Sequence, residues 1–192
     1  MNKVIVFSDY SCPFCYLSKK ALDMLVGKHD IKLEWIGYEI HPKIPEGGMT
    51  LPEMGFEEDY IDVIAGEIKK YALQFDMEIN IPERFSNSHL ALLLTELARD
   101  RGVFKEFNDR VYQDYWVRKI DISDITRLYS YLEELEISRS EIDVFLKTTA
   151  RERFEENLKL VESYGVSAVP NFIINGKQLR GLQTYEDLKK AL

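Results

Sequence analysis

The sequence predicts an α/β fold interrupted by a large all-helical insertion. Three observations carry this: a strand–helix–strand run at the N-terminus, about a hundred residues with helical but no strand periodicity, and a short hairpin followed by a helix at the C-terminus. Lys3–Ser8, KVIVFS, is apolar, β-branched and short, the profile of a buried strand. After a break at Ser8–Ser11, Pro13 suits the first turn of a helix, where its missing N–H costs nothing. Leu17, Ala21, Leu22, Leu25 and Val26 recur at helical spacing, and Gly27 is a plausible stop. Ile31–Gly37 then alternates Ile31, Leu33 and Trp35 with Lys32 and Glu34, a second strand. A strand, helix and strand in this span read as a βαβ unit, so the two strands should be parallel.

The stretch 41–55, HPKIPEGGMTLPEMG, carries three prolines and three glycines and reads as a loop. Helical stripes follow: Tyr60, Ile64, Ile68, Tyr71, Ala72 and Phe75; then Leu90, Leu93, Leu94, Leu97 and Ala98, capped by Ser86 or Asn87 and ended by Gly102. Further stripes are Phe104, Phe107, Val111 and Tyr115; Ile125, Leu128, Tyr131, Leu132 and Leu135; Ile142, Phe145 and Leu146; and Phe154, Leu158 and Val161, ending near Gly165. All are read as core packing. Asn171–Ile174 and Lys177–Arg180 are short strands joined by Asn175-Gly176, a strong hairpin signal. Thr184 with Asp187 opens a last helix through Leu192 as a capping box. The expected division is residues 1–50 as the βαβ half of one domain, 51–164 as the helical insertion, and 165–192 as the ββα half. Neither β half has enough strands to stand alone, so the two must pair.

The chain has 192 residues and a formal charge of −8, which argues against nucleic acid or an anionic membrane as the main partner. No apolar run approaches the ~20 residues of a membrane span. The N-terminus MNKVIVFSDY offers only Val4–Phe7 as consecutive apolar residues, too few for a secretory signal, so a cytoplasmic location is expected.

The two cysteines are Cys12 and Cys15, in Cys12-Pro13-Phe14-Cys15 at a strand-to-helix turn. Thiols at i and i+3 on a first helical turn are close enough to bridge. The first thiol sits at the helix N-terminus, where free N–H groups favour the thiolate. Cys12 is therefore the expected nucleophile, and Cys15 the resolving and more buried thiol. Competing readings are small core residues, since free Cys is often buried, and zinc, which needs further ligands that His41 and His89 are not spaced to supply. Asp9 reads as a solvated residue capping the turn, with proton transfer from Cys15 as the alternative. His41 and His89 read as surface or helix-capping residues, and Trp35, Trp116 and the tyrosines as core and interface.

FSDYSCPFC and GVSAVPNFIINGKQLRG, with YEIHPKIPEGG and NSHLALLLTELARDRG between, resemble the thioredoxin-like oxidoreductases of the DsbA family. The likeness is to the FrnE-like branch, related to 2-hydroxychromene-2-carboxylate isomerases, and runs over nearly the whole chain. The resemblance implies a thioredoxin-like fold with a large all-helical insertion after the second strand. It also implies a cis-proline at Pro170, facing the cysteines, whose preceding residue Val169 pairs with substrate backbone. Pro13, Phe14, Val169 and Pro170 are the substrate contacts expected on this basis. Ala168 stands where Gly is frequent, and Asn171 where Thr is common. Phe14 replaces the histidine of the periplasmic oxidants and offers Cys12 no charge or polar donor, so a less oxidising couple is expected.

The implied activity is thiol–disulfide exchange through the CPFC pair on protein or small-molecule disulfides. It would need no bound cofactor, with glutathione as a redox partner, a recycling reductant or oxidant, and open helical faces for a second subunit. Two alternatives stand beside it: a glutathione-dependent isomerase or transferase, and a peptide-binding holdase with incidental thiols.

Overall fold

A computed structural model describes residues 1–192. The N-terminal unit is β1 (Asn2–Ser8), α1 (Pro13–Lys28) and β2 (Ile31–Gly37), and the C-terminal unit is β3 (Asn171–Ile174), β4 (Lys177–Arg180) and α8 (Tyr185–Lys189). Between them lie α2 (Glu58–Gln74), α3 (His89–Asp100), α4 (Phe104–Trp116), α5 (Ile125–Glu134), α6 (Arg139–Thr148) and α7 (Ala150–Ser163). The two β halves make one sheet in the order β2-β1-β3-β4. β1 runs parallel to β2, with Val4 opposite Leu33, and antiparallel to β3, with Val6 opposite Phe172.

β1 is a continuous apolar run because both of its faces are covered. Val4 and Val6 join the large core with Leu25, Trp35, Leu94, Phe107, Trp116, Phe172 and Leu188, so the sheet and the helical block share one interior. Ile5 and Phe7 point the other way and pack with Ile36, Val161, Val166 and Ile173. In the hairpin, Asn175 (φ 49°) and Gly176 (φ 85°) are both left-handed, the geometry of the turn that matches strand twist. No helix is long and apolar enough to cross a membrane.

Several local expectations shift. α1 runs through Gly27 to Lys28, with His29 as its C-cap. Ser88, not Ser86 or Asn87, is the N-cap of α3. The Asn87 side chain instead accepts from the His89 N–H at 2.9 Å, and the Ser86 N–H is taken by the Tyr115 hydroxyl at 3.1 Å. The Thr184–Asp187 capping box is present, but α8 stops at Lys189. The chain then turns back, and the Leu192 carbonyl accepts from the Asn175 side chain at 2.8 Å. Tyr60, Ile125 and Leu158, read as core, are 52%, 50% and 40% exposed. α7 buries Val161 as expected, and beside it Ala150 and Asn157, the latter donating at 2.9 Å to the buried Glu96 carboxylate of α3.

The proline- and glycine-rich stretch after β2 is pinned rather than loose. Met49 and Phe85 exchange backbone hydrogen bonds of 3.0 and 2.6 Å. Gly48 beside them has φ 75°, and a Cβ there would lie 2.7 Å from the Phe85 carbonyl oxygen, so only glycine fits.

Candidate active site

The site grows from the turn that ends β1. Asp9 accepts at Oδ1 from the Ser11 N–H (3.0 Å), and its backbone carbonyl accepts from the Cys12 N–H (3.2 Å). Its Oδ2 reaches across to the Ile40 N–H (2.8 Å), just beyond β2. This corrects the expectation of a solvated residue: Asp9 is wholly buried because backbone donors from two separate segments converge on it. Burial raises its pKa, against hydrogen bonds from Ser88, Ile40 and Ser11. The Asp9 side chain thus ties the cysteine turn to the start of the loop after β2.

Cys12 is the extended N-cap of α1, with Pro13 in the first turn and no side-chain capping bond. Its sulfur donates to the Val169 carbonyl at 3.6 Å, and the Val169–Pro170 peptide is cis. Both thiols are free. The expected difference in burial is absent, since Cys12 is 4% and Cys15 3% exposed. Cys12 faces the loop after β2 and α2, and Cys15 faces α4. Burial, then the neighbouring Cys12, pushes the Cys15 pKa well above the ordinary thiol range, while the Ser8 hydroxyl and Asp9 backbone oppose this. At neutral pH Cys15 keeps its proton.

The cysteine turn is the wall between two cavities. The front one, about 250 Å³, is lined by Ser11, Cys12, Pro13, Phe14 and Val169, with Ile40 and His41 from the loop after β2. Phe56, Tyr60, Ile61, Ile64 and Ile68 close its far side. The rear one, about 290 Å³, is lined by Ser8, Cys15, Trp35, Tyr112, Pro170 and Phe172 among others, with Lys19, Asp23 and Lys105 also at its wall. Of the four expected substrate contacts, Pro13, Phe14 and Val169 stand with Cys12 at the front, and Pro170 lies with Cys15 at the rear.

Behind the motif, the Tyr112 hydroxyl and Ser8 Oγ are 2.7 Å apart. Tyr10 bonds Thr95 at 2.7 Å, and Trp116 donates from Nε1 to the Tyr10 carbonyl at 2.8 Å. This aromatic packing fits the core role expected of Trp35 and Trp116, both buried. His89 pairs with Glu39 at 2.9 Å, and that hydrogen bond raises its pKa above the usual imidazole value. His41 is held below it by burial. No three His, Cys, Asp or Glu side chains are grouped to hold a metal ion.

Sequence reasoning missed Ser8, Ser11 and Tyr112, and it treated Tyr60 and Ile64 as packing only. The available signal was positional: Ser8 and Ser11 flank the turn that leads into Cys12, and Phe56 stands four residues before Tyr60 at the entry to α2.

The geometry can be set beside known proteins. YwbO of Bacillus subtilis (strain 168), described as uncharacterized, is 27% identical over 191 residues, covering 97% of this chain and 94% of its own. The probable DsbA oxidoreductase SCO1869 from Streptomyces coelicolor superposes with a TM-score of 0.84 at 17% identity, over 100% of this chain and 90% of its own. 2-Hydroxychromene-2-carboxylate isomerase does so at 0.79 and 18%, over 98% and 93%. The cytosolic disulfide reductase DsbM from Pseudomonas aeruginosa, solved with GSH, does so at 0.70 and 14%, over 98% and 93%. At these identities the structural likeness establishes the fold, a DsbA-like thioredoxin fold with a mixed four-stranded sheet. The sequence model of the DSBA-like thioredoxin domain matches residues 3–192. With nearly every residue inside that match, the chain belongs to the DSBA-like thioredoxin domain family.

Proposed function

We propose that this protein is a dithiol–disulfide oxidoreductase in which Cys12 attacks and Cys15 resolves. The observation that carries the reading is the placement of the Cys12 sulfur at a helix N-terminus, 3.6 Å from the Val169 carbonyl, with Cys15 protonated behind it. The Cys12 thiolate attacks one sulfur of a substrate disulfide; that S–S bond breaks and the first substrate thiolate leaves. Cys15 loses its proton and attacks Cys12, forming the Cys12–Cys15 disulfide and releasing the second thiolate. The substrate gains two electrons and the protein loses two, which an external thiol reductant restores.

Val169 presents backbone to the substrate, and Pro13 and Phe14 frame the entrance. Within the proposal, 51–164 is an insertion into one domain formed by 1–50 and 165–192, and it supplies substrate selectivity. A cytoplasmic location belongs to the proposal too; the DsbM structure, described as cytosolic, is in keeping with it.

The test is the equilibrium potential of the Cys12–Cys15 pair in glutathione buffers, read by thiol alkylation. A two-electron transition between about −120 and −270 mV, on the less oxidising side, is expected. Absence of an intramolecular disulfide at every poise would sink the reading. Suppression of insulin-chain aggregation that survives Cys12→Ser, with no reduction of insulin by the wild type, would instead leave a holdase.

A further inference from the structure

The front cavity is unusual for a site that meets thiols in water, because almost nothing polar lines it. Fourteen of its seventeen lining residues are hydrophobic, and none is Lys, Arg, Asp or Glu. Its titratable members besides Cys12 are His41 and the half-exposed Tyr60. His41 is half-buried, stands edge-on to Phe56 at 6.3 Å, and is pushed by burial toward the neutral form, against the pull of Asp9. A carboxylate entering here would give up hydration and meet no cation.

Two further features describe what would fit. Phe56 and Tyr60 are stacked, with ring centres 5.7 Å apart and planes within 11°, offering aromatic surface on the wall facing Cys12. Pro13, Phe14 and Val169 line the cavity beside Cys12, so a group bonded to that sulfur meets apolar surface on this side as well. The volume, about 250 Å³, falls just below the usual range for drug-sized ligands, which suits a single ring.

We infer that the front cavity selects disulfides carrying an uncharged aromatic ring close to the sulfur and disfavours anionic disulfides such as glutathione disulfide. The inference rests on the reading of Cys12 as the attacking thiol. In the exchange, Cys12 forms an S–S bond to the ring-bearing sulfur and one aryl thiolate leaves. Cys15 then displaces the second, and both electrons come from the dithiol.

The experiment is stopped-flow reaction of the reduced protein with neutral dithiodipyridine, with dianionic dithiobis(nitrobenzoate), and with glutathione disulfide. Each rate is divided by that of N-acetylcysteine with the same reagent, which removes intrinsic reactivity. The normalised preference for the neutral ring should be about tenfold or more. Tyr60→Arg, at a half-exposed position, should shift the preference toward the dianion. Equal normalised rates, or a preference for glutathione disulfide, would overturn the inference, as would Tyr60→Arg leaving selectivity unchanged. Those results would leave the oxidoreductase reading standing as long as mass spectrometry finds the Cys12–Cys15 disulfide. If no reagent yields that product, the reading beneath fails first.

Discussion

Cys12 and Cys15 are buried to the same degree, so their roles follow from what surrounds each sulfur. Cys15 has Ser8 and the Asp9 backbone working to stabilise its thiolate against the cost of burial. Ser8→Ala removes one of these, so the Cys15 pKa should climb further. Resolution of a preformed Cys12 mixed disulfide should then slow several-fold near neutrality and recover as pH is raised, a profile readable by quenched mass spectrometry. Loss of packing alone would slow the reaction without moving that profile. His89 offers a second check. Glu39 raises its pKa in the folded state, so the pair stabilises the fold fully below about pH 6.5 and loses that stabilisation as pH rises through the folded value. The side chain is 44% exposed, so the effect should be under about 1 kcal/mol, and His89→Gln should flatten the fall of Tm across this window. At this scale the sequence displayed the thiol pair because its spacing is local. It concealed the burial of Asp9, whose partner Ile40 lies beyond an entire helix and strand.

Elements were legible where the signal sat within a few residues. Asn175-Gly176 specified the hairpin and Thr184 with Asp187 the start of α8. The Thr184 hydroxyl accepts from the Asp187 N–H at 3.2 Å and anchors a helix whose Leu188 is fully buried, so Thr184→Ala should cost about 1 kcal/mol in urea unfolding. Apolar period showed which residues share a face, but not whether another element covers it. Tyr60 and Leu158 keep helical spacing on faces left partly in water. α7 instead docks on α3 through a polar contact, Asn157 to Glu96, with Arg99 donating to the same carboxylate at 2.9 Å. Burial raises the Glu96 pKa and Arg99 opposes it. Arg99→Met would strand the carboxylate, at a cost of about 2 kcal/mol once the guanidinium's partial exposure is allowed for. Chemical denaturation followed by circular dichroism measures both substitutions.

Over the whole molecule, the interior runs without a break from β1 and α1 into α3, α4 and α5, and back to β3 and α8. Unfolding should therefore be one cooperative transition, with tryptophan fluorescence and far-ultraviolet dichroism coinciding. Trp35 on β2 and Trp116 on α4 report the two regions, and separated midpoints would contradict this. That the two β halves pair was evident from their strand count, whereas the way the helical block meets them depends on side chains distant in sequence. The carboxylate of Asp9 holds the cysteine turn at Ser11 with one oxygen and the start of the cavity-forming loop at Ile40 with the other. Lengthening the stretch after Gly37 by a single residue would pull on that side chain and, through Ser11, on the turn that seats Cys12, so the mouth of the cavity and the position of the sulfur move together.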